Sequence, residues 1–151
     1  RSVAVGTIKH HSHAGFEFDI EGKDSWRHRQ AGSVHAVIVA PDQMASVRRL
    51  DPNHEPALAD IIELMAADAR LVDGGPHIVL VEGYRHGGLP TIELFRAGNP
   101  KDEERDLGTE GNKIIAVVTN IERIAAQAQA QGLPLFSFDD IIPLADFLQA
   151  M

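Results

Sequence analysis

Three short apolar runs constrain this chain more than any other feature. Val3 to Ile8, Ile78 to Val81 and Ile114 to Val118 are rich in β-branched residues and show no strict alternation with polar ones. Runs of that kind are strands buried on both faces, as in a parallel sheet. Helical patterns lie between them. Asp24 or Ser25 can cap a short helix through about Ala31, ended by Gly32. Pro56 opens an amphipathic segment with Leu58, Ile61, Ile62, Met65 and Ala69 on one face, stopped at Asp73-Gly74-Gly75-Pro76. Ile121 to Gln131 is Ala/Gln-rich and helical, and Asp139 or Asp140 caps a last helix holding Leu144, Phe147 and Leu148. Shorter strands are expected at Val34 to Ala40, turning at Pro41-Asp42-Gln43 into Met44 to Arg49, and at Thr91 to Phe95 and Leu133 to Phe136. Ala97 to Asn112 is charged and Gly-rich, and reads as an exposed, mobile loop. The pattern predicts an α/β fold, a three-layer and mostly parallel sheet with helices on both faces, in a single domain.

Composition narrows what such a fold can do. The 151 residues suffice for one core and are too few for two. Lys plus Arg is 14 and Asp plus Glu is 22, so the net charge is 14 − 22 = −8. That balance argues against non-specific nucleic-acid binding, which needs a basic face. The absence of cysteine excludes disulfide scaffolds and thiolate metal sites. No apolar run reaches the eighteen or so residues of a membrane span, and no signal peptide is visible, so a cytoplasmic protein is expected.

In parallel α/β sheets, ligands bind beyond the carboxyl ends of the strands. Here the three apolar strands end at Lys9-His10, Glu82-Gly83 and Thr119-Asn120. On one rim, a cation, a carboxylate and an amide suit an anionic ligand with a divalent metal. The plainer reading is that polar residues end strands because something must. Gly22-Lys23-Asp24-Ser25 looks like the tail of a phosphate-binding Gly-Lys-Ser/Thr loop. It lacks the required Gly five residues ahead, where Glu17 stands, and Asp24 separates Lys23 from Ser25. It is the start of a helix, a place that attracts anions, and Lys23 adds to that. His10, His11, His13, His28 and His35 cluster early and have the chemistry of zinc ligands, against the bland reading of a solvated loop. Arg85 and His86 are either phosphate ligands or part of a surface loop. No Ser-His-Asp order with a nucleophile elbow is present.

The ordered set Gly6-Thr7-Ile8-Lys9-His10, Asp19, Gly22-Lys23-Asp24-Ser25, Arg27 and Ala31-Gly32 resembles the molybdopterin-guanine dinucleotide biosynthesis protein MobB family. Ile78 to Val81 with Glu82-Gly83-Tyr84-Arg85 resembles that family's second signature. Ile114 to Val118 and Asp139 to Leu148 resemble its C-terminal third. The resemblance covers most of the chain and is weakest over Asp51 to Asp73 and Ala97 to Asn112. It implies a P-loop NTPase fold, a homodimer, and binding of GTP with Mg²⁺. It also implies an accessory role beside the guanylyltransferase that attaches GMP to molybdopterin, with contact to the molybdopterin cofactor itself as a further expectation. As catalysis, the resemblance implies at most a weak GTPase activity.

On this reading Lys9 and Lys23 face phosphates, Asp24 and Glu82 hold or orient Mg²⁺ and its waters, and Thr119 and Asn120 lie near the base. Ser25 and Arg27 are structural or subunit-contact residues. The family's opening strand, Gly-rich phosphate loop and helix belong ahead of Arg1, and the expectation is a chain lacking that segment. Two rival readings are a nucleotide-free interaction domain acting as an adapter and a His-based metal carrier. Asn120 has its own rival role as the cap of the Ile121 to Gln131 helix.

Overall fold

The structure, a computed structural model, describes residues 3–11, 17–51, 53–68, 77–84, 88–108 and 111–151. The chain divides into two compact units, residues 1–84 and residues 85–151.

The described residues of the first unit form two two-stranded sheets and two helices. Strand β1 (Val5–Lys9) pairs in parallel with β4 (Ile78–Glu82), with Val5 opposite Ile78 and Lys9 opposite Glu82. Strands β2 (His35–Val39) and β3 (Met44–Arg48) form the antiparallel hairpin expected around Pro41-Asp42-Gln43. Helix α1 (Asp24–Gln30) precedes the hairpin, and α2 (Leu58–Asp68) precedes β4. The run of β1 is apolar in sequence, yet its exposure alternates: Ile8 is buried while Val5, Thr7 and Lys9 are exposed. In β4, Leu80 and Glu82 are likewise exposed between the half-buried Val79 and Val81. Side chains of a strand point alternately to its two faces, so β1 and β4 have one covered face and one open face.

Neither Asp24 nor Ser25 caps α1. Lys23 occupies the cap position and makes no side-chain capping bond. The Ser25 hydroxyl instead donates to the Asp19 carboxylate at 3.0 Å, and the same oxygen accepts the Ile20 N–H at 2.9 Å. Gly32 ends the helix region at φ 108°, as a left-handed stop requires. Ala69 and the Asp73–Pro76 stop lie outside the described residues.

The second unit is a parallel three-stranded sheet in the order β5 (Pro90–Phe95), β6 (Lys113–Thr119), β7 (Leu135–Phe136). Helix α4 (Glu122–Ala130) packs on β6 and β7, and α5 (Ile141–Gln149) closes the chain. Phe95, Leu107, Val117, Ile124 and Ala128 form its buried core. Ala116 to Thr119 are all buried, so β6 is the doubly covered strand its sequence predicts. Burying side chains such as Phe95, Val117 and Ile124 contributes about 1.5–3 kcal/mol each.

The expected mobile loop at Ala97 to Asn112 is instead ordered wherever the structure describes it. It holds a five-residue helix, α3 (Pro100–Glu104), whose cap Asn99 accepts the Lys101 N–H. Asp102 accepts the Arg96 N–H at 3.0 Å and Glu103 the Gly98 N–H at 2.7 Å. From α4, Arg123 donates to the Glu103 and Arg105 carbonyls at 2.9 and 3.0 Å, and Gln127 accepts the Leu107 N–H at 3.0 Å. Charged residues here satisfy backbone groups, and Leu107 enters the core. Asp140 does stand at the cap position of α5, but its carboxylate accepts the Ser137 N–H at 2.7 Å and no helical N–H.

Candidate functional site

Two of the three expected strand ends meet. Lys9 and Glu82 are register partners at the carboxyl ends of parallel β1 and β4, so their side chains leave the open face together. The Lys9 ammonium donates to the Glu82 carboxylate, with both side chains mostly exposed, 62% and 74%. The next residue, His10, donates its N–H to the Glu82 carbonyl at 2.8 Å and continues the ladder by one rung.

Around that rung the chain is tightly fitted. Gly83 has φ 90°, and a Cβ there would stand 2.6 Å from the His10 Cβ, inside any real contact. Only glycine satisfies both conditions. Tyr84 follows at φ 43°, a left-handed conformation that is uncommon for a bulky residue. Its ring lies against the His10 ring, centroids 4.8 Å apart and planes inclined by 47°. The His10 Nε2 is 2.7 Å from a Glu55 carboxylate oxygen. Burial pushes the Tyr84 phenol up from its ordinary value, and the Glu55 charge adds to that. Glu55 carries no motif signal in the sequence; Gly83 is legible there as the end of a strand and as part of the Glu82-Gly83-Tyr84-Arg85 signature.

Lys23 and Asp24 are adjacent at the start of α1, and both are exposed. Among the described residues, no hydrogen bond or ion pair joins them to Lys9 or Glu82. Thr119 and Asn120 belong to the second unit, where both are engaged locally. The buried Thr119 hydroxyl accepts the Ile121 N–H at 2.9 Å, and Asn120 Oδ1 accepts the Ala97 N–H at 2.7 Å. The expected alternative, Asn120 as the cap of the following helix, is not what forms. Ile121 holds the cap position of α4, and Asn120 instead ties the ends of β5 and β6 together.

Among the described residues, the early histidines form no metal-binding group. His10 pairs with Glu55, the His35 ring faces Arg48 Nε at 3.4 Å, His28 is exposed on α1, and His13 lies outside the described residues. Among the described residues, no group of three or more His, Asp and Glu could hold a metal ion. Glu82 and Asp24 still offer the hard oxygens Mg²⁺ prefers. That ion commonly takes one or two carboxylates and completes its shell with water and phosphate, so either carboxylate fits, by its chemistry, Mg²⁺ brought with a phosphate ligand. Arg85 and His86 lie outside the described residues, as does any pairing of Arg85 with Glu82.

The architecture, parallel strands alternating with helices within each unit, is of the α/β class. Solved structures share it. The MobB crystal structure superposes with a TM-score of 0.63 at 21% identity, over 99% of this chain and 81% of that one. Bacillus subtilis MobB gives 0.61 at 24% identity, over 99% and 80%. The profile described as molybdopterin guanine dinucleotide synthesis protein B matches residues 1–120, and the chain belongs to that MobB family. The molybdopterin-guanine dinucleotide biosynthesis adapter protein of Haemophilus influenzae is 35% identical over 120 residues. That alignment covers 80% of this chain and only 60% of the Haemophilus protein. The adapter protein of Escherichia coli is 27% identical over 149 residues, covering 98% and 76%.

Proposed function

We propose that this chain acts in molybdenum-cofactor biosynthesis as a cytoplasmic accessory protein. It binds GTP with Mg²⁺ and supports the guanylyltransferase that attaches GMP to molybdopterin. The observation that carries this reading is the exposed Lys9–Glu82 pair on the carboxyl rim of two parallel strands, in a chain of the MobB family. Lys9, with Lys23, supplies cations for phosphates; Glu82, with Asp24, supplies oxygens for Mg²⁺. Asn120, its carbonyl oxygen committed to Ala97, presents its amide donor to guanine O6, with Thr119 holding the turn. The protein works as a homodimer. The β2–β3 hairpin supports this, because Val37, Ile38, Val39 and Met44 are exposed on a two-stranded sheet. Exposed apolar strands are a pairing surface, and symmetric dimers are the commonest homo-oligomers. Light scattering at micromolar concentration gives twice the chain mass on this reading, and a monomer removes the dimer from it.

The deciding experiment is a guanylyltransferase assay with GTP, Mg²⁺ and molybdopterin, run with and without this protein. More dinucleotide product in its presence, lost with Glu82→Gln, is the expected result. No stimulation by the intact chain would overturn the reading. A second reading, an adapter that binds no nucleotide, draws on the engagement of Thr119 and Asn120 within their own unit. Stimulation of the transferase without calorimetric GTP binding selects it.

A further inference from the structure

Lys9 and Glu82 form an ion pair with each other, and their chemistries are complementary. An ammonium offers donors only and a carboxylate acceptors only. A phosphate needs the first and a divalent cation the second, yet in this structure each side chain is occupied by the other. The pairing follows from register: Lys9 stands opposite Glu82 in a parallel ladder, on the face where Thr7 and Leu80 are also exposed. Both side chains are more than half exposed on flexible stems, so they can separate without disturbing the strands beneath.

Separation has unequal consequences for one ion and for two. A phosphate arriving alone takes Lys9 and leaves the Glu82 carboxylate unpaired beside an anion. A divalent cation arriving alone takes Glu82 and leaves the ammonium unpaired beside a cation. When both arrive, each released group has a new partner and no charge is stranded. We propose that the Lys9–Glu82 ion pair is the closed form of the binding site. It opens by partner exchange, and so makes phosphate binding and divalent-cation binding mutually dependent. The inference rests on the proposed nucleotide reading and adds its regulation: the site discriminates against either ion alone. Linkage makes the coupling reciprocal. An exposed ion pair contributes ~0.2–1 kcal/mol, so the closed form weakens each single ion by about one-and-a-half- to fivefold.

The test uses the full chain with two probes, inorganic tripolyphosphate in the presence of a chelator and MgCl₂ alone, titrated by calorimetry. Circular dichroism confirms that the variants fold. Glu82→Gln is expected to bind metal-free tripolyphosphate up to about fivefold more tightly than the parent chain. Lys9→Met is expected to bind Mg²⁺ more tightly by a similar factor. With Mg²⁺ and tripolyphosphate together the order inverts, and both variants bind more weakly than the parent. Glu55→Gln is the control, since Glu55 faces His10 and not Lys9; it leaves metal-free tripolyphosphate affinity unchanged. An increase in Glu55→Gln equal to that in Glu82→Gln means general repulsion, and overturns the exchange. So does a Glu82→Gln chain that binds metal-free tripolyphosphate no better than the parent while still losing the Mg²⁺-dependent complex. In that case the nucleotide reading stands and only the exchange falls. A parent chain that binds neither probe, alone or together, overturns both.

Discussion

The two units end their parallel strands in polar residues and use them in opposite ways. In the second unit Thr119 and Asn120 are absorbed into the fold, one holding the Ile121 N–H and the other bridging to Ala97. In the first unit the Lys9 and Glu82 side chains pair with each other and keep most of their surface in solvent. The difference tracks burial. The strand behind Thr119 is covered on both faces and packed against α4, whereas the strands behind Lys9 and Glu82 have one open face. A polar group beside a packed core must be satisfied internally; one on an open face can wait for a ligand. The rim of the first unit therefore keeps its charges open to a ligand, whereas the rim of the second serves stability first and has only the Asn120 amide left for recognition.

The largest expected effect probes the packing difference. Phe95 is fully buried in the second unit, while Val37 of the hairpin is about half exposed. Phe95→Ala should lower stability in urea by ~3–5 kcal/mol. Val37→Ala should change it by no more than about 0.5 kcal/mol in dilute monomer, as for a surface site, and by more at micromolar concentration, where the proposed dimer covers the hairpin. Comparable losses would mean that the hairpin is covered in solution, as the proposed dimer requires.

Two glycines give the next contrast. Gly83 and Gly108 both have positive φ, 90° and 78°. A Cβ on Gly108 meets only the Ile114 Cδ1 at 3.6 Å, while one on Gly83 strikes the His10 Cβ at 2.6 Å. Gly108→Ala should cost about 1 kcal/mol, the left-handed penalty alone. Gly83→Ala should cost ~2–4 kcal/mol, because overpacking adds to that penalty. Its tyrosine near-ultraviolet dichroism should also collapse, as Tyr84 is the single tyrosine of the chain. Equal costs would show that His10 yields readily and that the fit at the rim is loose.

Asn120→Ala tests whether the second rim is purely structural. Loss of its bond to the Ala97 N–H should cost about 1 kcal/mol of stability. If Asn120 also reads guanine, preference for GTP over ATP falls by ~1–3 kcal/mol in competition binding. Reduced stability with unchanged preference confines recognition to the first unit.

Much of this contrast was written in local sequence, and the rest was not. The runs Ile78 to Val81 and Ile114 to Val118, the Pro41-Asp42-Gln43 turn and the order of helices and strands follow from short-range pattern and turn chemistry. Lys9 and Glu82 were placed on one rim, but their mutual pairing depends on register between strands 73 positions apart. The order in the segment after Ala97 was missed because its partners, Arg123 and Gln127, sit on a later helix. Composition there predicts a solvated loop, and long-range satisfaction of backbone groups overrides it. Glu55 was missed for the same reason: nothing near it in sequence signals an approach to His10.

The smallest effects lie at the extremes of pH and separate the units again. In the second unit the Asp140 carboxyl is held below its ordinary value, first by the Ser137 N–H and then by the Ser137 hydroxyl. A carboxyl with a lowered folded-state pKa contributes stability above its unfolded value, lost as pH falls through the folded value. Asp140→Asn should therefore reduce the thermal midpoint slightly at neutral pH and leave it unchanged in strong acid. In the first unit Tyr84 is shifted the other way, by burial and then by Glu55. The folded state holds this proton more firmly than the unfolded state. Its contribution is present below the ordinary tyrosine range and declines as pH rises from about 10 through the folded value. Because the chain has one tyrosine, tyrosinate absorbance reads this group directly. Glu55→Gln should move the titration to lower pH without abolishing the shift, since the larger cause is burial. A Tyr84 that titrates in the folded chain as it does in urea would show that its ring is not held against His10, and the fitted rim would lose its main support.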